Sequence, residues 1–158
     1  MTARIISGGQ TGVDRGALDA AIEMGIPHGG SCPSGRRVPD RYDLVELATD
    51  SYPARTRRNI LDAGATLILT PERHPTGGTR LTAKIAQELG RPWIAADPTR
   101  PEHVARVVAW LEHVRPEVLN VAGPRESRFP GIADKARNFL KLVLRAVPAA
   151  RVESADAS

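Results

Sequence analysis

The sequence has one cysteine, Cys32, and few aromatic residues, which make up 4% of its 158 residues. A single cysteine cannot form an intramolecular disulfide, and it cannot supply the several thiolates of a cysteine-based zinc site. The shortage of aromatic side chains means that the core must be built from Val, Ile, Leu and Ala. These features are typical of a protein from a reducing compartment.

Long apolar runs and metal-binding motifs are also absent. No stretch reaches the roughly 20 apolar residues that cross a bilayer, and the N-terminus lacks the apolar region of a signal peptide. We therefore expect no membrane association and a cytoplasmic location. The histidines are scattered and form no HExxH or paired motif, so we expect no bound metal.

Lysine is scarce, although the chain is basic. Only three of the 22 basic residues are lysines, and the net charge is +4. The planar arginine guanidinium suits phosphate and carboxylate groups. Codon bias would give the same composition, and no basic run is interleaved with aromatic residues, so we do not expect nucleic-acid binding.

Strand and helix patterns alternate along the chain. Apolar runs predict strands at residues 4–7, 26–29, 44–47, 65–70, 92–95 and 118–122, and helical spacing predicts helices at 14–24, 51–62, 81–89, 102–114 and 131–147. This alternation predicts an α/β fold, a Rossmann-like three-layer sandwich with a mostly parallel central sheet. We expect one ligand-binding domain over residues 1–148 and a disordered tail at 149–158.

The glycine-rich segments follow the carboxyl ends of the predicted strands, where ligands bind in open parallel sheets. Gly8, Gly9 and Gly12 precede one helix, and Gly77-Gly78-Thr79 precede another. Glycines admit close approach of a ligand, and the first N–H groups of a helix are unpaired and partly positive. Two such turns predict a phosphate-binding site of nucleotide size, although a Gly-Gly turn is also an ordinary connection.

Polar residues near these turns have two interpretations each. Thr11 and Asp14 form a T-x-x-D capping-box pattern, but Asp14 could instead contact a ligand amine, hydroxyl or metal ion. Arg36 and Arg125 would neutralise a phosphate or form ordinary surface charge. Asn59, four residues after Arg55, would face the cleft or cap a neighbouring element.

Five segments in the same order resemble the molybdenum-cofactor carrier protein family. They read ISGGQTGVDRGALDAA, GGSCPSGRR, RTRRNILDAGATLIL, TGGTRLT and LNVAGPRES. That family belongs to a Rossmann-like superfamily with the Lonely Guy nucleotide hydrolases and DprA. The resemblance implies a homo-oligomer, dimer or tetramer, that binds molybdenum cofactor, a pterin phosphate. It also implies a groove built from Gly8, Gly9, Gln10, Thr11, Asp14, Arg36, Asn59, Gly77, Gly78, Thr79 and Arg125.

Two functions remain open at this point. The first is a non-catalytic carrier or sensor of an anionic small molecule, either molybdenum cofactor or a nucleotide. The second is a nucleotide N-glycosidase or phosphohydrolase like the Lonely Guy enzymes. Thr82 stands where their motif has its catalytic Glu, so an enzyme would need Asp14 or Glu126 as its general base.

Overall fold

The computed structural model describes residues 2–35 and 37–147, so Arg36 and the tail predicted at 149–158 lie outside the described residues. The elements, numbered in chain order, are β1 (Arg4–Ile6), α1 (Val13–Glu23), β2 (His28–Gly29), β3 (Ser31–Cys32), β4 (Val45–Glu46), α2 (Tyr52–Asp62), β5 (Ala65–Leu69), α3 (Gly77–Glu88), β6 (Trp93–Ala96), α4 (His103–Val114), β7 (Val118–Ala122) and α5 (Ile132–Ala146). None of the helices described is long and apolar enough to cross a membrane.

The main sheet has five parallel strands in the order β2-β1-β7-β5-β6. From β1 the chain crosses to β2 on one side, and from β5 it crosses to β6 on the other. Because such crossovers are right-handed, their helices lie on opposite faces. Accordingly, α1 and α4 both pack with α5, whereas α2 packs with α3. The predicted three-layer α/β sandwich is confirmed.

The core lies between the sheet and the α1–α5 layer. All five residues of β5 are buried, and apolar residues spaced three or four apart on α5, such as Ala136, Leu140 and Val143, form its buried face. A Cβ at Gly16 of α1 would overlap the Ala133 carbonyl, so glycine lets α1 and α5 approach closely. Each buried Leu or Val contributes roughly 1.5–3 kcal/mol to folding.

Three elements differ from the sequence prediction. Helix α3 begins at Gly77, four residues before the predicted start, and Gly77 has a φ of 56°, which glycine adopts readily. The second strand is shorter than predicted and comprises only His28–Gly29. Ser31–Cys32, predicted as loop, pairs in parallel with β4 in a separate two-stranded sheet. The last helix and β7 match their predicted bounds within one residue.

Candidate functional site

A pocket of about 520 Å³ opens at the carboxyl ends of β1 and β7, beside the start of α3, and we call it the site pocket. Its walls come from the β1–α1 loop, helix α2, the first turn of α3 and the β7–α5 loop. It lies at the point in the sheet where the β1–β2 and β5–β6 crossovers run in opposite directions. This is the position at which open α/β sheets bind ligands.

The structure brings together most of the residues predicted from sequence. The site pocket is lined by Gly8, Gln10, Asp14, Asn59, Gly77, Gly78, Thr79 and Arg125. Gly9, Thr11 and Gly12 are not among its lining residues, and Arg36 is not described.

The β1–α1 turn is closed by the protein's own atoms. Gly9, at φ 74°, lies beneath Leu44, and Gly12, at φ 92°, packs against the Pro124 carbonyl. That carbonyl accepts a hydrogen bond from the Val13 amide at 3.2 Å. The glycines therefore permit a tight turn and close packing of loops, and the first of the two predicted phosphate cradles is not open.

Of the two interpretations of Thr11 and Asp14, the capping box is wrong. The N-cap is Gly12, no side chain caps the helix, and Thr11 is exposed. Asp14 instead accepts hydrogen bonds through Oδ2 from Arg55 Nη1 at 3.1 Å and from the Gln10 amide at 3.3 Å. The carboxylate thus joins α2 to the β1–α1 loop.

The Asp14–Arg55 ion pair forms the floor of the site pocket. The side chains are only 4% and 11% exposed, respectively. A Cβ at position 8 would overlap the Arg55 guanidinium, so only glycine admits this pair. The buried Arg55 Nε has no hydrogen-bond partner and is an unused donor on a pocket-lining side chain.

Burial raises the pKa of Asp14 above its usual value, because the charged carboxylate loses hydration. The positive charge of Arg55 and the Gln10 and Gly8 amides act in the opposite direction and limit the rise in this pKa. Asp14 is the one carboxylate among the described residues of the pocket wall. A buried carboxyl with an altered pKa in a cleft is a candidate for ligand recognition or proton transfer.

The Tyr52 side chain lines the site pocket beside two arginines. Its ring centroid lies 5.5 Å from Cζ of Arg55 and 5.3 Å from Cζ of Arg125. Arg125 also donates through Nε to Oε1 of Gln10 at 3.2 Å, and it is exposed at the pocket mouth. Sequence reasoning did not include Tyr52, whose only signal was its position three residues before Arg55.

The first turn of α3 is an open cradle. No side chain caps this helix, and a Cβ at Gly77 or Gly78 would meet no atom within 4 Å. Thr79 is buried beside them and lines the same wall. Unpaired amides with a partial positive charge and free space above them are suited to an anion.

Arg128 completes the basic side of the site pocket and was not predicted. Its Nη2 lies 2.7 Å from Glu72 Oε2 and 2.9 Å from Thr76 Oγ1. These contacts join the β7–α5 loop to the loop before α3. Arg125 and Arg128 therefore line the same pocket as the first turn of α3.

Asn59 is buried, and its side chain holds β3 against α2. Its Oδ1 accepts from the Ser31 amide at 2.8 Å, and its Nδ2 donates to the Ser31 carbonyl at 3.0 Å. Both polar atoms of the amide are therefore used within the protein, although the residue lines the pocket.

Replacing Asn59 with alanine is expected to destabilise the protein by about 1–3 kcal/mol, because two buried backbone groups of Ser31 lose their partners. Urea denaturation measures this change. Arg57→Ala, at an exposed position of the same helix, is the control and should change stability by less than about 0.5 kcal/mol. Equal stabilities of the two variants would contradict the role assigned to Asn59.

Glu126 lies outside the wall of the site pocket and stabilises the start of α5. Its two carboxylate oxygens accept hydrogen bonds from the amides of Gly131 and Ala133. A carboxylate at a helix N-terminus is favourable because it pairs unsatisfied N–H groups. The geometry favours a capping role over the general-base role considered from the sequence.

Glu126→Ala is expected to lower stability by about 0.5–2 kcal/mol, the usual effect of losing a helix cap. Its affinity for a pocket ligand should be unchanged within twofold, since Glu126 does not line the pocket. Thermal unfolding and calorimetric titration with AMP measure the two quantities. A large affinity loss at unchanged stability would reverse this interpretation.

No group of His, Cys, Asp and Glu in the described part of the chain is arranged to hold a metal ion. Thr82, the position of the Lonely Guy Glu, lines the site pocket and donates its hydroxyl to the Gly78 carbonyl at 2.9 Å. The pocket thus combines basic groups and free amides at its mouth with one carboxylate at its floor. This arrangement can bind an anion at the mouth and form a hydrogen bond with a polar group of the ligand at the floor.

The chain is similar to known proteins over most of its length. Residues 5–144 match the model of a family described as the circularly permutated YpsA SLOG family. The chain is also similar to a crystal structure named "Putative molybdenum carrier protein" from Syntrophus aciditrophicus SB, with 38% identity and a TM-score of 0.86. That similarity covers 90% of this chain and 95% of the other. No curated protein matches this chain significantly.

Proposed function

The chain belongs to the circularly permutated YpsA SLOG family, and we propose that it is a binding protein for a phosphorylated small molecule. Molybdenum cofactor, a pterin phosphate, is the named candidate ligand, and a nucleotide is the chemical alternative. The observation that carries the proposal is the uncapped first turn of α3, which shares a pocket with Arg125 and Arg128.

A phosphate would bind the amides of Gly77, Gly78 and Thr79, where helix dipole and free N–H groups favour negative charge. Arg125 and Arg128 would neutralise the remaining charge. Arg128 keeps N–H groups beyond the one that it donates to Glu72 and Thr76, because a guanidinium has five donors. Anion binding at this end therefore needs no rearrangement of the helices.

The organic part of the ligand would extend towards the pocket floor. Tyr52 offers an aromatic side chain for contact with a flat heterocycle, and the Asp14 carboxylate at the floor offers an acceptor. A volume of about 520 Å³ lies within the range of roughly 300–1,000 Å³ typical of small-molecule pockets. A phosphorylated heterocycle of pterin or purine type fits this arrangement, with the phosphate at the α3 cradle and the ring between Tyr52 and the pocket floor.

The pocket is suited to the organic part of molybdenum cofactor. Its described wall contains no cysteine or histidine, the side chains that bind soft or transition metals. Recognition would therefore depend on the phosphate and the pterin and not on a protein ligand to the metal. As cargo, the cofactor would be held by the same cradle as any phosphomonoester.

Asp14 supports a second candidate, hydrolysis of a nucleotide. Its carboxyl lines the pocket and burial raises its pKa, which suits an acid–base group. Incubation with nucleoside monophosphates tests this: an enzyme would release free base or phosphate, and Asp14→Asn, assayed at a temperature at which it remains folded, would abolish the release. Product release by the wild type would favour the enzyme over the carrier.

Native mass spectrometry after gentle purification tests the carrier proposal. We expect a phosphorylated compound bound to the wild type in a 1:1 ratio and lost from Arg125→Ala/Arg128→Ala. Arg57→Ala, outside the pocket, should retain it. A retained compound without an anionic group, or equal retention by all three proteins, would contradict the proposal.

A further inference from the structure

A second cavity of about 460 Å³ lies at the carboxyl ends of β5 and β6, and we call it the outer pocket. It shares no lining residue with the site pocket. The segment of residues 70–76 separates the two, with Glu72 facing the outer pocket and Thr76 facing the site pocket. The outer pocket therefore requires its own explanation.

The carboxylates of the outer pocket are already paired. Glu72 accepts hydrogen bonds from Thr70 and Thr76 and forms an ion pair with Arg128. Asp97 accepts from the amide and hydroxyl of Thr99.

Asp97 also lies 3.4 Å from Arg100 across an ion pair. The negative charges in the wall of the outer pocket are thus balanced by neighbouring groups. The carboxylates of Glu72 and Asp97 therefore have few lone pairs left to accept hydrogen bonds from the other arginines of the pocket.

The donors of the outer pocket, by contrast, are largely unused. Nδ1 of His103 accepts from the Asp97 amide at 3.0 Å, so the ring proton is on Nε2, which has no partner among the described residues. Arg73 has no partner within the described chain, and Arg106 donates only through Nη2, to the Ala95 carbonyl. Two guanidinium groups and one imidazole N–H therefore line a cavity with surplus positive charge.

We propose that the outer pocket is a second anion site, which binds a phosphate group through Arg73, Arg106 and the Nε2–H of His103. Guanidinium groups pair with phosphate through two parallel N–H···O bonds. The described wall carries three arginines against two carboxylates, so its net charge is positive and favours an anion. The site is independent of the proposed function, because none of its three donors lines the site pocket.

Calorimetric titration with inorganic phosphate tests the site in a background in which the site pocket is blocked. Gly78→Asp supplies that background, because its carboxylate lies over the α3 cradle. We expect this variant to retain one phosphate site per chain. Adding Arg73→Ala and Arg106→Ala should weaken that site at least tenfold.

The control adds Arg57→Ala and Arg145→Ala instead, which remove two exposed charges that line neither pocket. This protein has the same net charge as the test variant and should bind phosphate within twofold of Gly78→Asp. Absence of binding in Gly78→Asp, or equal weakening by both pairs, would overturn the inference. If Gly78→Asp and the wild type bind the same number of phosphates with the same affinity, the outer pocket is supported and the phosphate site of the site pocket is contradicted.

Discussion

Replacing Gly78 with aspartate is expected to lower the affinity for a phosphomonoester by at least a hundredfold without unfolding the protein. The new carboxylate would lie at the first turn of α3, where the proposed phosphate binds. Two unit charges about 4 Å apart near a protein surface repel by about 4 kcal/mol, and roughly 1.4 kcal/mol corresponds to a tenfold change. Titration with AMP measures the loss.

The backbone accepts this substitution. Gly78 is exposed, a Cβ there meets nothing within 4 Å, and its φ is not positive. An acidic side chain in a first helical turn stabilises a helix by about 0.3–1 kcal/mol. Gly78→Asp should therefore unfold at a temperature equal to or above that of the wild type.

Gly78→Ala is the matched control, because it adds a Cβ without charge. Its affinity for AMP should fall by less than fivefold. Equal losses in the alanine and aspartate variants would indicate that space, and not charge, limits binding. Undiminished AMP binding by Gly78→Asp would place the phosphate elsewhere.

Breaking the Asp14–Arg55 pair is expected to have the largest effect on stability. Arg55→Met should cost about 3–5 kcal/mol of the free energy of unfolding, because it leaves a buried carboxylate without its partner. Asp14→Asn should also be strongly destabilising, since it leaves a buried guanidinium unpaired. Urea denaturation of each variant gives these values.

The double variant Asp14→Asn/Arg55→Met distinguishes pairing from packing. Because neither residue then carries a charge, we expect it to be more stable than Arg55→Met alone, with a coupling of about 0.5–3 kcal/mol. Additive losses would contradict the view that the two side chains stabilise each other by charge.

The pH dependence of Arg55→Met follows from the same pair. Removing Arg55 removes the largest influence that lowers the pKa of Asp14, so burial raises that pKa further. A raised native pKa costs stability as pH rises through it, and the cost vanishes at acid pH, where the carboxyl is protonated in both states. The penalty of Arg55→Met should therefore be largest near pH 7 and shrink towards pH 4.

Local patterns in the sequence were sufficient to predict most of the fold. The run ATLIL is buried throughout and predicted β5 directly, and helical spacing predicted α4 and α5. The glycine-rich segments after the predicted strands indicated the edge of the sheet at which the site pocket lies. The family resemblance drawn from five segments is also confirmed.

The two glycine turns show what the sequence could not reveal. Both have the same local chemistry, yet Leu44 and the Pro124 carbonyl close the β1–α1 turn while the α3 turn is open. Those contacts join distant parts of the chain, and nothing in either turn encodes them. Whether a helix N-terminus is free therefore depends on tertiary packing.

The roles of single polar residues could not be predicted from the sequence either. Glu126 and Asn59 bond to backbone groups that only the folded chain brings near. Arg128 directly follows the family segment LNVAGPRES, yet only the folded chain shows that it lines the site pocket. For Asp14, the partner Arg55 is 41 residues away, so the spacing with Thr11 suggested a local cap instead.

The most direct test of the phosphate site is an NMR titration of backbone amides with AMP, and with adenosine as the unphosphorylated control. If the phosphate binds the first turn of α3, the amide signals of Gly77, Gly78 and Thr79 should shift with AMP and remain in place with adenosine. Amide shifts that occur equally with both compounds, or that leave these three residues unaffected, would contradict the account.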